Sequence, residues 1–282
     1  MVDDVIMGVE RETSDLSLRD TVTQLGEVFA VFDARTQDSG HISYGVRDGA
    51  GRRWFVKTPG DDVPNSGGAD RAARSRALQR SADVSTAVVH PALLPVERII
   101  TTDEGVVTIS EWFEGELVRA PAELREDPRH AFSRFKSLPA DEIVAALDAV
   151  IDLHVRLDEA GWVAGDLYDG CLMYDFVAHT IRVMDFECYH RGSYVNHTGR
   201  LPGSTRFMAP EEFCIGATIG SRTTVFTLGR MIEILLLERN PGHPACDVAR
   251  AATRQDPTAR PASLAALHHA WRAATGLQPT AG

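Results

Sequence analysis

Two aspartates carry the clearest chemical potential of the chain. They lie in the stretch WVAGDLYDGCLMYDFVAHTIRVMDF, residues 162–186. Asp166 sits on a polar loop ahead of a short apolar run at 171–174, and Asp185 ends a second such run, 181–184, after a turn. Carboxylates on tight loops beside neighbouring strands can converge on one point. Phosphoryl transfer needs such a pair, one near the attacking hydroxyl and one holding Mg2+ against ATP. The competing explanation is a solvated aspartate at a loop end, so the rest of the chain has to decide.

Composition bounds the choice. With 282 residues the chain has ample material for a buried core, as one large domain or two smaller bodies. Apolar residues at 44% and charged residues at 24% are ordinary for a globular protein. The net charge of -11 argues against a nucleic-acid partner. Cys171, Cys188, Cys214 and Cys246 lie far apart without a CxxC pair, so neither a zinc site nor a disulfide framework is indicated. The start MVDDVIMGVERE lacks a basic leader region, and the longest apolar run, 232–237, is too short to span a bilayer. A cytoplasmic protein with no membrane partner is expected.

Several elements must position the aspartates. Residues 1–25 show little periodicity and read as a lead-in strap or short helix. From residue 27, VFAVFDAR, HISYGVR and RRWFVKT alternate apolar and polar residues between Gly- and Asp-rich turns, the pattern of an antiparallel meander. A polar loop at 58–70 precedes a helix over 72–81, and strands are expected over 93–100 and 105–110. A short helix is read over 129–136. The clearest helix is 141–160, where Ile143, Leu147, Val150, His154 and Leu157 share one face between Pro139 and Gly161. His154 reads there as a core histidine rather than a ligand. Residues 223–237 are apolar around most of their circumference, as in a buried helix, and a last helix covers 262–274.

In this order the landmarks resemble the protein kinase superfamily, in its bacterial serine/threonine protein-kinase-like form. GDLYDGC stands where that family has H-R-D-L-x-x-x-N, MDFE where it has D-F-G, and WFVK where it has V-A-I-K. SEWFEG resembles the hinge, GSTRFMAPE the segment G-T-P-x-Y-M-A-P-E, and DPTARP supplies a late arginine. The resemblance implies an α+β, two-lobed protein-kinase-like fold across 26–282. Its small β-rich N-lobe would span 26–110, its hinge 111–116 and its mainly helical C-lobe 117–282. It implies ATP and Mg2+ as cofactors and transfer of the γ-phosphate to a protein hydroxyl. Asp166 and Lys57 would be catalytic. Gly40, Ser43, Lys57 and the backbone of Glu111 and Phe113 would bind the nucleotide, Asp185 would hold the metal, Ser204 would bridge to Asp166, and Glu211 would pair with Arg260.

The sequence also departs from the family. No glutamate stands between Lys57 and Glu97 to pair with the lysine; the expected position falls near Ser81, with Asp70 and Asp83 the nearest acids. Phe55 replaces a small residue above adenine, and Ala164-Gly165 replace His-Arg. Tyr168 replaces a lysine that neutralises the moving phosphoryl group, and Cys171 replaces a metal-binding asparagine. Asp169 is either a substitute metal ligand or a loop cap. Thr224 stands where the family anchors its catalytic loop with an aspartate. These gaps keep two other readings open: a pseudokinase serving as a binding or scaffold module, and a kinase of small hydroxylated molecules such as aminoglycosides.

Overall fold

The computed structural model describes residues 9–35, 39–61 and 70–278. The fold is α+β, and the chain divides into two compact units. One comprises the described residues up to Val89 together with Leu94–Glu114; the other comprises His90–Leu93 and the chain from Gly115 onward.

The first unit is built on a six-stranded sheet. Its strands are β1 (Glu10–Thr13), β2 (Glu27–Phe32), β3 (Ile42–Arg47), β4 (Arg53–Thr58), β5 (Arg98–Thr102) and β6 (Gly105–Glu111), in the spatial order β1-β5-β6-β4-β3-β2. Two helices accompany them, α1 (Leu18–Leu25) and α2 (Arg71–Ala87). The meander β2-β3-β4 follows the alternation in the sequence. Asp48 pins its second turn: Oδ1 accepts from the backbone N–H of Ala50 and Arg52, each at 2.9 Å, and Oδ2 from Trp54 Nε1 at 2.9 Å.

Of the segment before residue 26, read from sequence as a lead-in strap or short helix, Glu10–Thr13 form a strand of this sheet and Leu18–Leu25 a helix. β1 pairs in parallel with β5, and Leu18 and Val22 of α1 pack on Val46, Val56, Ile100, Val107 and Ile109. A unit of five strands and one helix was therefore too small an expectation. All of β1 is exposed, so it carries no apolar alternation to read. The strand expected over 93–100 begins only at Arg98. The polar loop at 58–70 lies, from 62 to 69, outside the described residues.

Cross-strand register sets out the opposite face of the sheet. Phe32 pairs with Ser43, Ser43 with Lys57, Lys57 with Thr108, and Thr108 with Ile99. Ile99 packs with Ala82 of α2, so Lys57 shares the face that α2 covers. Beside this row an aromatic cluster forms. Trp112 lies 5.0 Å from Phe29 and 6.5 Å from both Phe32 and Phe55, between ring centroids.

The second unit is mainly helical. Its main helix is α4 (Ala140–Glu159), preceded by β7 (Glu116–Leu117) and α3 (Ala131–Lys136). β8 (Trp162–Val163), β9 (Leu172–Asp175), β10 (Thr180–Val183), β11 (His190–Arg191), β12 (Tyr194–Val195) and β13 (Thr218–Ile219) follow as short antiparallel pieces, in the pairings β10-β9-β7, β11-β8 and β12-β13. The helices α5 (Ser221–Met231), α6 (Cys246–Ala252) and α7 (Leu264–Thr275) close the unit. The single helix expected over 223–237 turns π-helical over Ile232–Leu237. Asp148 of α4 clamps α7, accepting from His268 Nε2 at 2.9 Å and Arg272 Nη2 at 2.6 Å.

Gly45, opposite Phe55 on β3, makes room for the aromatic cluster. A Cβ there would lie 2.6 Å from Phe29 Cε2 and 2.9 Å from Trp112 Cζ3. Gly45→Ala is expected to lower stability by about 1–3 kcal/mol in urea denaturation. Gly49→Ala, whose Cβ would meet nothing within 4 Å, should stay within about 0.5 kcal/mol of the parent.

Candidate functional site

The chemistry-bearing stretch lies in the second unit. Only three described non-glycine residues take a positive φ, and two of them are Asp166 (φ 54°) and Asp185 (φ 68°). Left-handed backbone costs an L-residue energy and persists where the surroundings fix it. At Asp185 the fixing is visible on both sides. The Val183 N–H donates to Ala92 O at 2.6 Å, and the Met184 N–H donates to Cys171 O at 2.9 Å. That second bond joins the strand leading to Asp185 directly to the loop carrying Asp166. The loop is tied on itself by Cys171 N–H to Tyr168 O at 2.9 Å and Cys171 Sγ to Asp166 O at 3.2 Å.

Both carboxylates act on the same neighbours. Burial pushes the Cys171 thiol well up, with Asp185 and Asp166 adding to it, so the sulfur stays protonated. Tyr168 is raised first by burial and then by Cys171 and Asp166, with Asp185 contributing, while Arg119 opposes.

Gly165, where the resemblance calls for arginine, has a physical reason. A Cβ on it would stand 2.2 Å from the carbonyl oxygen of Cys188, three residues past Asp185. The segments bearing the two aspartates pass so closely there that no side chain fits.

Behind the site the packing is apolar. Phe186 is buried and its ring lies 5.1 Å from Tyr189. Tyr189 donates its hydroxyl proton to His154 Nε2 at 2.8 Å, while His154 Nδ1–H donates to Val150 O at 2.6 Å. Burial holds His154 down at about 4, in the neutral form that this arrangement requires. His154 is thus a satisfied core histidine.

The His90-Pro91 landmark serves this unit. The Ala92 N–H donates to His90 Nδ1 at 3.0 Å, leaving His90 Nε2–H to donate to Asp152 of α4 at 3.1 Å. Leu93 then pairs in parallel with Val183.

Asp169 is 2% exposed and accepts from Arg206 Nη1 at 2.9 Å. Burial raises its carboxyl and Arg206 opposes the rise. Its carboxylate therefore fastens the 203–211 segment to the loop. Gly203 of that segment sits against Asp166, so that a Cβ there would lie 3.5 Å from Asp166 Oδ1. Ser204 contributes its backbone carbonyl to a turn with Phe207.

Glu211 and Arg260 form a bidentate ion pair at 2.6 and 2.9 Å, with the Arg260 side chain fully buried. The remaining guanidinium N–H groups donate to the carbonyls of Arg254, Arg222 and Gln255, so all five donors are used. By contrast Thr224 Oγ1 is buried with no hydrogen-bond partner among the described residues.

The first unit holds the other expected residues. Gly40 takes φ 76° in the turn before β3. Ser43 is 1% exposed, and its Oγ has no hydrogen-bond partner among the described residues. Lys57, 8% exposed, is its cross-strand neighbour. Glu111 ends β6 opposite Trp54, the Trp112 N–H donates to Arg53 O at 3.0 Å, and Phe113 is half-buried. Asp70 caps α2 through Ala73 N–H at 2.5 Å, and Asp83 accepts from Gln79 at 3.0 Å beside Arg11. Ser81, at the position expected for the missing glutamate, is buried.

Sequence reasoning missed two residues that organise the 196–212 segment. Asn196, 1% exposed, donates to the carbonyl of Glu212 at 3.2 Å and accepts from the Gly199 N–H at 3.0 Å. Glu212 accepts from the Ala209 N–H at 2.6 Å. Burial pushes its carboxyl up to about 7, with Glu211 and Asp166 adding to the rise against the Ala209 N–H and Arg260. Neither position stands out in a single sequence.

Among the described residues no group of three or more His, Cys, Asp or Glu side chains could cage a metal. Mg2+ keeps waters and phosphate oxygens as ligands and needs only one or two carboxylates; of the two acids expected to hold it, Asp185 and Asp169, the second is engaged by Arg206. No family model and no curated protein sequence matches the chain.

Removing one partner of a buried ion pair leaves an uncompensated charge. Arg260→Ala is therefore expected to lower stability by about 3–5 kcal/mol in denaturant titration. For Glu212 the folded carboxyl keeps its proton up to about 7, whereas the unfolded one loses it near the ordinary 4.5. Folded-state stability should thus fall as pH rises through that window and level off above it. Glu212→Gln should remove this component, so that the variant gains on the parent between pH 5 and pH 8 in the same assay.

Proposed function

We propose that the chain is an ATP- and Mg2+-dependent phosphotransferase of protein-kinase-like fold, its two units corresponding to the two lobes, that phosphorylates a protein hydroxyl. One observation carries this reading. Asp166 and Asp185 both hold left-handed backbone on segments joined by the Met184–Cys171 hydrogen bond, beside a segment locked by the Glu211–Arg260 pair. In this reading Asp166 accepts the hydrogen bond of the acceptor hydroxyl and orients it for in-line attack. Asp185 offers oxygen ligands to Mg2+, and Lys57 serves the phosphates of ATP. The metal, when bound, neutralises phosphate charge. Gly40 and Ser43 line the turn over the nucleotide, and the backbone of Glu111 and Phe113 pairs with adenine.

A second reading, a nucleotide-binding scaffold, is favoured by one finding. The carboxylate of Asp169 is held by Arg206, and the Cys171 thiol is buried and protonated, so neither suits a second Mg2+.

Purified protein incubated with γ-labelled ATP and Mg2+ should label itself or a generic acceptor such as casein. Asp166→Ala should lower the rate by about 10²–10⁴-fold. Absence of label, or label that survives the substitution, overturns the enzyme reading. Thermal stabilisation by ATP without Mg2+ in an inactive protein supports the scaffold.

A further inference from the structure

The loop carrying Asp166 lacks the lysine that the phosphotransferase reading calls for, and Tyr168 stands in its place. The ring of Tyr168 folds back over Gly170, filling the space a side chain there would take, with its hydroxyl 2.8 Å from that Cβ position. Phe207 flanks it at 6.5 Å between centroids. The guanidinium of Arg119 lies over the ring, 5.7 Å from its centroid, within the range of a cation–π contact.

Arg119 is anchored at its backbone and exposed at its side chain. Its neighbours Val118 and Ala120 are 0% and 2% exposed, and the Val118 N–H donates to Leu172 O at 2.9 Å. Arg119 itself is exposed, with its guanidinium over the tyrosine ring.

Charge bookkeeping points the same way. Asp166, Asp169 and Asp185 crowd this part of the unit, and Arg206 is committed to Asp169. The charge of Arg119 lowers both the Tyr168 hydroxyl and the Asp169 carboxyl against the rise from burial. An exposed guanidinium over a ring face has N–H groups that can bind phosphate oxygens in a fork. The Tyr168 hydroxyl, protonated throughout the neutral range, adds a neutral donor beside it.

We propose that Arg119 and Tyr168 together form an anion subsite beside Asp166 that holds the terminal phosphate of the nucleoside triphosphate. The proposal rests on the phosphotransferase reading. The charge that the family places on the loop itself comes here from the chain just after β7, carried on an aromatic platform. No bond is made or broken by either residue; both bind the group in transfer.

Steady-state transfer from γ-labelled ATP with Mg2+ to casein, using the full chain, tests this. Arg119→Gln should lower kcat by about 10–100-fold, the worth of one charged hydrogen-bonding group, while KM for ATP changes less than about 3-fold. Tyr168→Phe should lower kcat by a smaller factor, about 3–10-fold. Arg119→Lys should recover part of the rate, and millimolar guanidinium ion should partly rescue Arg119→Gln. A merely structural side chain would give neither recovery. Wild-type kcat in Arg119→Gln overturns the subsite, as does a loss that neither lysine nor guanidinium restores. A loss confined to KM for casein overturns the nucleotide assignment and moves the anion to the acceptor. If the unsubstituted protein shows no Asp166-dependent transfer, the phosphotransferase reading falls and the subsite with it, an outcome separate from the others.

Discussion

Carboxylates gathered in a poorly solvated region repel one another and resent losing water, and the second unit has to manage several of them within a short reach. Asp166, Asp169, Asp185, Glu211 and Glu212 all belong to it, and the last two are buried together with Asp169. Two solutions appear among these three. Glu211 takes a guanidinium whose every donor is satisfied, Asp169 takes Arg206, and Glu212 keeps its proton near neutrality. Asp166 and Asp185 are set apart by their left-handed backbone, on segments joined by the Met184–Cys171 hydrogen bond. Each supporting acid is thus settled by a partner or a proton of its own.

This division explains why the loop tolerates unusual residues. Gly165 is dictated by the carbonyl of Cys188, not by a lost arginine function. Cys171 is buried, raised and bonded to Asp166 O, so it acts as an apolar filler with a weak donor. Asp169 is neither a loop cap nor an open ligand but one half of a clasp between two segments.

Much of the fold could be read directly from the chain because burial imprints a period. The strand β3 alternates apolar and polar residues, α4 carries Ile143, Leu147, Val150, His154 and Leu157 on its buried side, and each was expected within a few residues of its observed bounds. β1 could not be read, since an exposed edge strand imposes no pattern on its side chains. The late start of β5 was equally hidden, because His90–Leu93 belongs to the other unit and its apolar residues look like the beginning of a strand. At the site, Asp166, Asp185, Glu211 and Arg260 were visible as residue types in recognisable contexts. Asn196, Arg206, Glu212 and Arg119 were not. Their importance lies in what the fold brings beside them, and nothing in their immediate neighbours announces it.

The strap from His90 to Leu93 has a consequence for how the molecule comes to be made. During synthesis it emerges well before Asp152 and Val183, the residues it joins. Its partners are separated from it by most of a helical unit, so the contact is long-range and closes late. Until then the strand preceding Asp185 lacks one of its two flanking neighbours, and the backbone turn at that aspartate is without its Val183–Ala92 hydrogen bond. Completion of the brace beside Asp185 is thereby coupled to a piece of chain made well before it.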